Sequence, residues 1–88
     1  MLSSQQKIEA AQHLAREAWR PFHVEFYTLK STCGVAVHTE QGRIERFDDD
    51  AGDMQAACIR AAVASPLFQA NVKAHRVARG MVHSSTGR

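Results

Sequence analysis

The chain predicts a two-layer α+β fold, a three-stranded antiparallel meander with helices on one face, in the order α-β-β-β-α-α. Three observations predict it. Residues 3–19 carry apolar side chains at helical spacing, residues 22–47 switch to a period of two, and residues 54–79 return to a helical pattern broken once by proline.

In the first segment Ile8, Ala11, Leu14, Ala15, Ala18 and Trp19 fall on one stripe, opposite Glu9, His13, Arg16, Glu17 and Arg20. Ser3 followed by Gln6 is a capping-box pattern, in which hydroxyl and amide satisfy free N–H groups at the helix start. Pro21 ends the helix, because the residue before a proline is driven out of helical geometry.

The next stretch, FHVEFYTLK, alternates Phe22, Val24 and Phe26 against His23, Glu25, Tyr27 and Leu29, and its aromatic and β-branched content favours a strand. CGVAVHT continues the alternation, and RIERF is a third short strand. A tight turn at Ser31-Thr32 is expected between the first two strands. Gly42 supplies the positive φ that a hairpin loop needs between the last two. The register of that hairpin stays open: a two-residue loop sends Ile44 inside with Val37, and a three-residue loop sends Phe47 inside instead.

MQAACIRAAVAS is rich in alanine and apolar almost all round, as in a helix packed close against its neighbours. Ser65 and Pro66 then restart the chain as N-cap and first residue of a new helix, expected to run to about Arg79 and to close at Gly80. Residues 1–82 are read as a single domain and residues 83–88 as a mobile C-terminal tail.

Eighty-eight residues allow one small core and leave little room for a deep substrate pocket. The N-terminus lacks the basic start, apolar run and small-residue cleavage site of a secretory signal, so a cytoplasmic location is expected. Cys33 and Cys58 form no CxxC pair and are expected as reduced, buried thiols. The net charge is only +2, but it is unevenly spread: residues 40–53 hold six acids and two arginines, while residues 54–88 hold five basic residues and no acid.

The most conspicuous polar stretch is ERFDDDAGDMQ, residues 45–55. Counted from Asp48 as a calcium loop, its sixth position is Asp53 and its twelfth Ile59, where such a loop needs glycine and a bidentate glutamate. A helix start explains it better. Asp50 as N-cap and Asp53 three residues on would hold the first free N–H groups, leaving Asp48 and Asp49 as a solvated acidic surface.

A second constellation comes from the strands. With the turn at Ser31-Thr32, His38 falls nearly opposite Glu25 and diagonal to His23, on the sheet face away from the helices, beside Tyr27. Two imidazoles and a carboxylate are zinc-ligand types, but an open sheet face lacks the dry concave setting that metal or acid–base catalysis requires. Cross-strand pairing on a protein-binding face is the better account, and no metal or cofactor is expected. A third feature is the basic run Lys73, Arg76 and Arg79, cations of the kind that lie along phosphates or simply offset a helix dipole.

The order helix, three strands, helix resembles the double-stranded-RNA-binding domain in outline. That family grips phosphates with lysines at the start of the helix after the sheet, where this chain has Asp48, Asp49, Asp50 and Asp53. The resemblance is one of topology alone.

No nucleophile–base arrangement can be read from order or spacing, so no enzymatic activity is expected. The leading expectation is a small protein that binds another protein through His23, Glu25, Tyr27, His38, Asp48 and Asp49, as stoichiometric inhibitors and adaptors carried by phages or mobile elements do. Homodimerisation through the open face or an edge strand belongs to that expectation. Nucleic-acid binding through Lys73, Arg76 and Arg79 is the alternative.

Overall fold

The computed structural model describes residues 2–86, with side chains for residues 2–77. Helix α1 spans Ser4–Ala18, strands β1, β2 and β3 span His23–Leu29, Thr32–His38 and Ile44–Asp49, and helices α2 and α3 span Met54–Ala64 and Pro66–Thr86. The strands form one antiparallel sheet in the order β1-β2-β3, so the expected α+β meander and its element order are both present.

The capping box forms as the sequence predicts: Gln6 N donates to Ser3 Oγ at 3.2 Å and Ser3 N donates to Gln6 Oε1 at 2.9 Å. Helix α1 then presents Ala11, Ala15 and Trp19 to Ala57, Cys58 and Ala61 of α2, all buried, over Val24, Val35 and Val37 of the sheet. Leu14 departs from the expected inner stripe and is 50% exposed. The alanines explain why. Small side chains let the two helices approach closely, so the seam is narrow and a residue on its flank is left outside. The same holds for α2, whose Ala57, Cys58, Ala61 and Ala62 face inward while the larger Ile59 and Val63 face out.

Both hairpins settle questions of register. The first turns at Lys30-Ser31 rather than Ser31-Thr32, with Lys30 at φ 40°. His23 therefore lies opposite His38, and Glu25 opposite Ala36, which corrects the expected Glu25–His38 pairing. The physical reason is burial on the core side: this register matches Val24 with Val37, Phe26 with Val35 and Thr28 with Cys33, whereas the other would have set Val24 against Thr39. In the second hairpin Thr39 N donates to Arg43 O, closing a three-residue loop with Gly42 at φ 72°. Phe47 consequently faces the core opposite Val35, with its ring centroid 6.0 Å from that of Trp19.

The end of α2 accounts for its last carbonyls one by one. The indole Nε1 of Trp19 donates to Ala61 O at 2.6 Å, Ser65 N to Ala62 O at 3.2 Å, and Gln69 Nε2 to Val63 O at 2.6 Å. Ser65, fully buried, then caps α3 by accepting from Phe68 N at 3.0 Å, as the Ser-Pro pair predicts. Helix α3 continues past Gly80, the expected stop, to Thr86. Of the expected tail, residues 87 and 88 lie outside the described residues.

Helix α3 packs against parts of α2 and α1 and touches no strand among the described residues. It projects from the two-layer body, giving a Cα radius of gyration of 16.3 Å against about 12 Å for a compact chain of this length. Cys33 and Cys58 are both buried and free, and burial pushes the Cys58 thiol up to about 11 and raises that of Cys33.

Candidate functional site on the open sheet face

Alternation along the strands sends every second side chain away from the helices. His23, Glu25, Tyr27 and Leu29 of β1, Gly34, Ala36 and His38 of β2, and Ile44, Arg46 and Asp48 of β3 share that bare face. Glu25, Tyr27, Leu29, Ala36, His38, Ile44 and Arg46 line a shallow depression on it. Leu29 and Ile44 rim it at 60% and 47% exposure.

Tyr27 lies flat across the central strand, opposite Gly34. A Cβ at Gly34 would sit 2.6 Å from Tyr27 Cζ and 2.7 Å from Asp48 Oδ1, so the glycine is what makes room for the ring. Arg46 lies over the outer side of that ring, with its guanidinium carbon 5.8 Å from the centroid. The Tyr27 hydroxyl is buried with no hydrogen-bond partner. Gly34→Val should keep the fold, since valine suits a central strand, but push Tyr27 off the face. In an NMR comparison the Tyr27 ring would lose its contacts to β2 while core methyl shifts stay in place; an unmoved ring would contradict the packing described.

Beside the tyrosine, Glu25 Oε1 stands 3.2 Å from His23 Nε2 and 3.2 Å from His38 Nε2, and the two imidazole centroids are 5.4 Å apart. The His23 contact has hydrogen-bond alignment, but His38 Nε2 does not and is left without a hydrogen-bond partner. His23, Glu25, Tyr27 and His38 thus share one face, in a different pairing from the expected one. Among the described residues no group of three or more His, Cys, Asp or Glu side chains is arranged to hold a metal ion.

The acidic stretch divides. Strand β3 runs on through Asp49, so Asp48 points to the open face and Asp49 to the helix side. Asp49 is only 14% exposed: its Oδ2 accepts from Asp53 N at 2.7 Å and its Oδ1 from Arg60 Nη2 at 3.3 Å. Arg60 also donates to Asp48 O. The N-cap of α2 is Asp53, accepting from Ala56 N at 3.1 Å, and Asp50 sits in the preceding turn, which Gly52 closes at φ 75°. The expected cap at Asp50 is therefore corrected by three residues, because the longer strand and the turn delay the helix. Asp49, expected on a solvated surface, is instead a fastening between β3 and α2.

The backbone N–H of Asp53, followed by Arg60, holds the Asp49 carboxyl below its ordinary 3.8. A carboxylate with a lowered folded pKa adds stability that is present above the unfolded value and lost as pH falls through the folded one. Urea midpoints should accordingly fall as pH drops below 3.8, and Asp49→Asn should be weaker at neutral pH with a shallower acid dependence. An Asn variant with the wild-type acid profile would show that Asp49 is not the titrating fastener.

The third candidate group is on α3. Lys73 and Arg76 are exposed, and the side chain of Arg79 lies outside the described residues. No helix among the described residues is long and apolar enough to cross a membrane. No protein family, curated protein or solved structure matches this chain. Its site rests on geometry alone.

Proposed function

We propose that this chain acts by binding another protein through the open face of its sheet, with no catalytic step of its own. One observation carries the reading. Both buried side-chain polar atoms without a hydrogen-bond partner among the described residues, Tyr27 Oη and His38 Nε2, lie on the one sheet face that no helix covers. Unsatisfied polar groups are rare in folded domains and gather where function requires them. Around them stand a flat aromatic ring, two exposed aliphatic side chains and the charges of Glu25, Arg46 and Asp48, which is the make-up of an anchor with a polar rim. A stoichiometric inhibitor or adaptor, of the kind that phages and mobile elements carry, fits a cytoplasmic chain of this size with such a surface.

Tyr27→Ala should cost the complex about 2 kcal/mol, roughly thirtyfold in affinity, as loss of a central aromatic does. Affinity capture from the native host with the wild type, Tyr27→Ala and Ile44→Asp checks it. The variants should keep the wild-type circular dichroism and lose a protein that the wild type retains. If all three retain the same proteins, the face is not the binding surface.

Nucleic-acid binding through α3 is the second reading, favoured by Lys73 and Arg76 standing exposed with no ion pair among the described residues. Its mark would be affinity for generic DNA or RNA that rises steeply as salt is lowered and is lost in a Lys73/Arg76/Arg79 triple alanine variant.

A further inference from the structure

Two surfaces lack a partner among the described residues: the open sheet face and the exposed side of α3 beyond its contacts with α2 and α1. On one side of α3, Phe68 is exposed and Val72 half-buried, with Arg76 one turn further along the same side. We propose that the occupant of the open sheet face is α3 of a second copy of this chain, exchanged reciprocally so that each copy's helix covers the other's sheet. The proposal rests on the reading of that face as a protein-binding surface and names what sits there.

Dimensions agree. The outer strands of a three-stranded sheet stand about 10 Å apart, one helix diameter, and a seven-residue strand is about 23 Å long. The side of α3 from Phe68 to Arg76 rises about 12 Å and fits within that length. Charge agrees as well. Asp48 makes no ion pair among the described residues and stands on the sheet face, while Lys73 and Arg76 are equally unpaired on a helix from a segment, residues 54–88, that has no acid at all.

The chain cannot close the face with its own helix in this arrangement. The start of α3 is fastened by Phe68 N to Ser65 Oγ at 3.0 Å, Gln69 N to Ser65 O at 3.0 Å and Gln69 Nε2 to Val63 O at 2.6 Å, so it leaves from the helix layer and meets no strand. A second copy can supply what the first cannot reach. Because each copy offers one helix and one sheet, a two-fold pair satisfies all four surfaces and stops there.

Sedimentation velocity from low micromolar to near-millimolar protein tests this. The wild type should sediment as a dimer. Phe68→Asp on the helix and Ile44→Asp on the sheet, both at exposed positions, should each be monomeric alone, and an equimolar mixture should recover heterodimers, since it retains one intact helix-on-sheet contact. Charge provides an independent arm: a Lys73→Glu/Arg76→Glu variant should dimerise at least tenfold more weakly and recover part of the loss when mixed with Asp48→Lys. A wild type that is monomeric throughout overturns the proposal, and if lysate capture still depends on Tyr27 and Ile44 the binding face stands with a different occupant. Dimers formed by either single variant alone would place the contact elsewhere, as would a mixture that stays monomeric. Salt-sensitive binding of α3 to generic RNA or DNA by a monomeric wild type would assign the helix to nucleic acid instead.

Discussion

Trp19→Ala is expected to lower the urea midpoint sharply, removing a large share of the domain's stability. The side chain is 3% exposed, packs against Phe47 and donates its indole N–H to Ala61 O at 2.6 Å. That carbonyl belongs to the last turn of α2 and has no amide of its own helix to accept from, because Ser65 N turns to Ala62 O instead. Truncating a buried tryptophan costs about 3–5 kcal/mol, and a domain of this length has only about 4–13 kcal/mol in all. Trp19→Phe separates the two contributions, keeping an aromatic ring but leaving Ala61 O without its donor, at about 1–3 kcal/mol. Urea denaturation followed by far-UV circular dichroism gives both values. An alanine variant as stable as the phenylalanine one would mean that the ring's burial contributes little beyond the hydrogen bond.

Much of this architecture can be read from local pattern, for reasons that differ by element. The Ser3/Gln6 box and the Ser65-Pro66 restart depend on neighbours three or four residues apart, so the sequence contains all the information needed. The start of α2 depends on something longer: how far β3 runs before the chain turns. That is set by pairing Asp48 and Asp49 with Gly34 and Cys33, and by Arg60 reaching back to Asp49, none of which is local. Hence Asp53 is the cap and Asp50 is not. Leu14 was misplaced for a related reason, because helical periodicity marks an apolar stripe but not how wide a strip the neighbouring helix covers.

The candidate site was legible in membership and blurred in geometry. His23, Glu25, Tyr27 and His38 follow from period-two alternation, which survives a register shift of two residues; who faces whom does not. Ile44, Arg46, Ala36 and Gly34 belong to the same face, and the pattern alone does not single them out. For Ile44 the signal existed in the choice of hairpin loop, since only the three-residue loop sends it outward. For Gly34 the signal was its place opposite a tyrosine on the neighbouring strand, which becomes visible only when the register is known. Asp48 and Asp49 looked equivalent in a run of three aspartates, yet strand alternation gives one to the open face and the other to the fold.

A second large effect is expected from Ala57→Leu. Ala57, Ala61 and Ala15 have no exposed surface, and Ala11 has 6%. At such a seam the extra carbons of leucine have nowhere to go except by parting α1 from α2, and α2 is held at its start by Asp53 N on Asp49 Oδ2 and near its end by Trp19 on Ala61 O and Arg60 on Asp49. Overpacking of this kind costs about 1–3 kcal/mol and occasionally more, although leucine is the more hydrophobic residue and nearly as good a helix former. Ala64→Leu, at an exposed position of the same helix, adds the same carbons where nothing confines them and should stay within about 0.5 kcal/mol of the wild type. The comparison isolates confinement from hydrophobicity and helix propensity, since only the surroundings differ. If both variants melt with the wild type, α1 and α2 can separate without cost, and the alanines are not what sets the width of the helix layer.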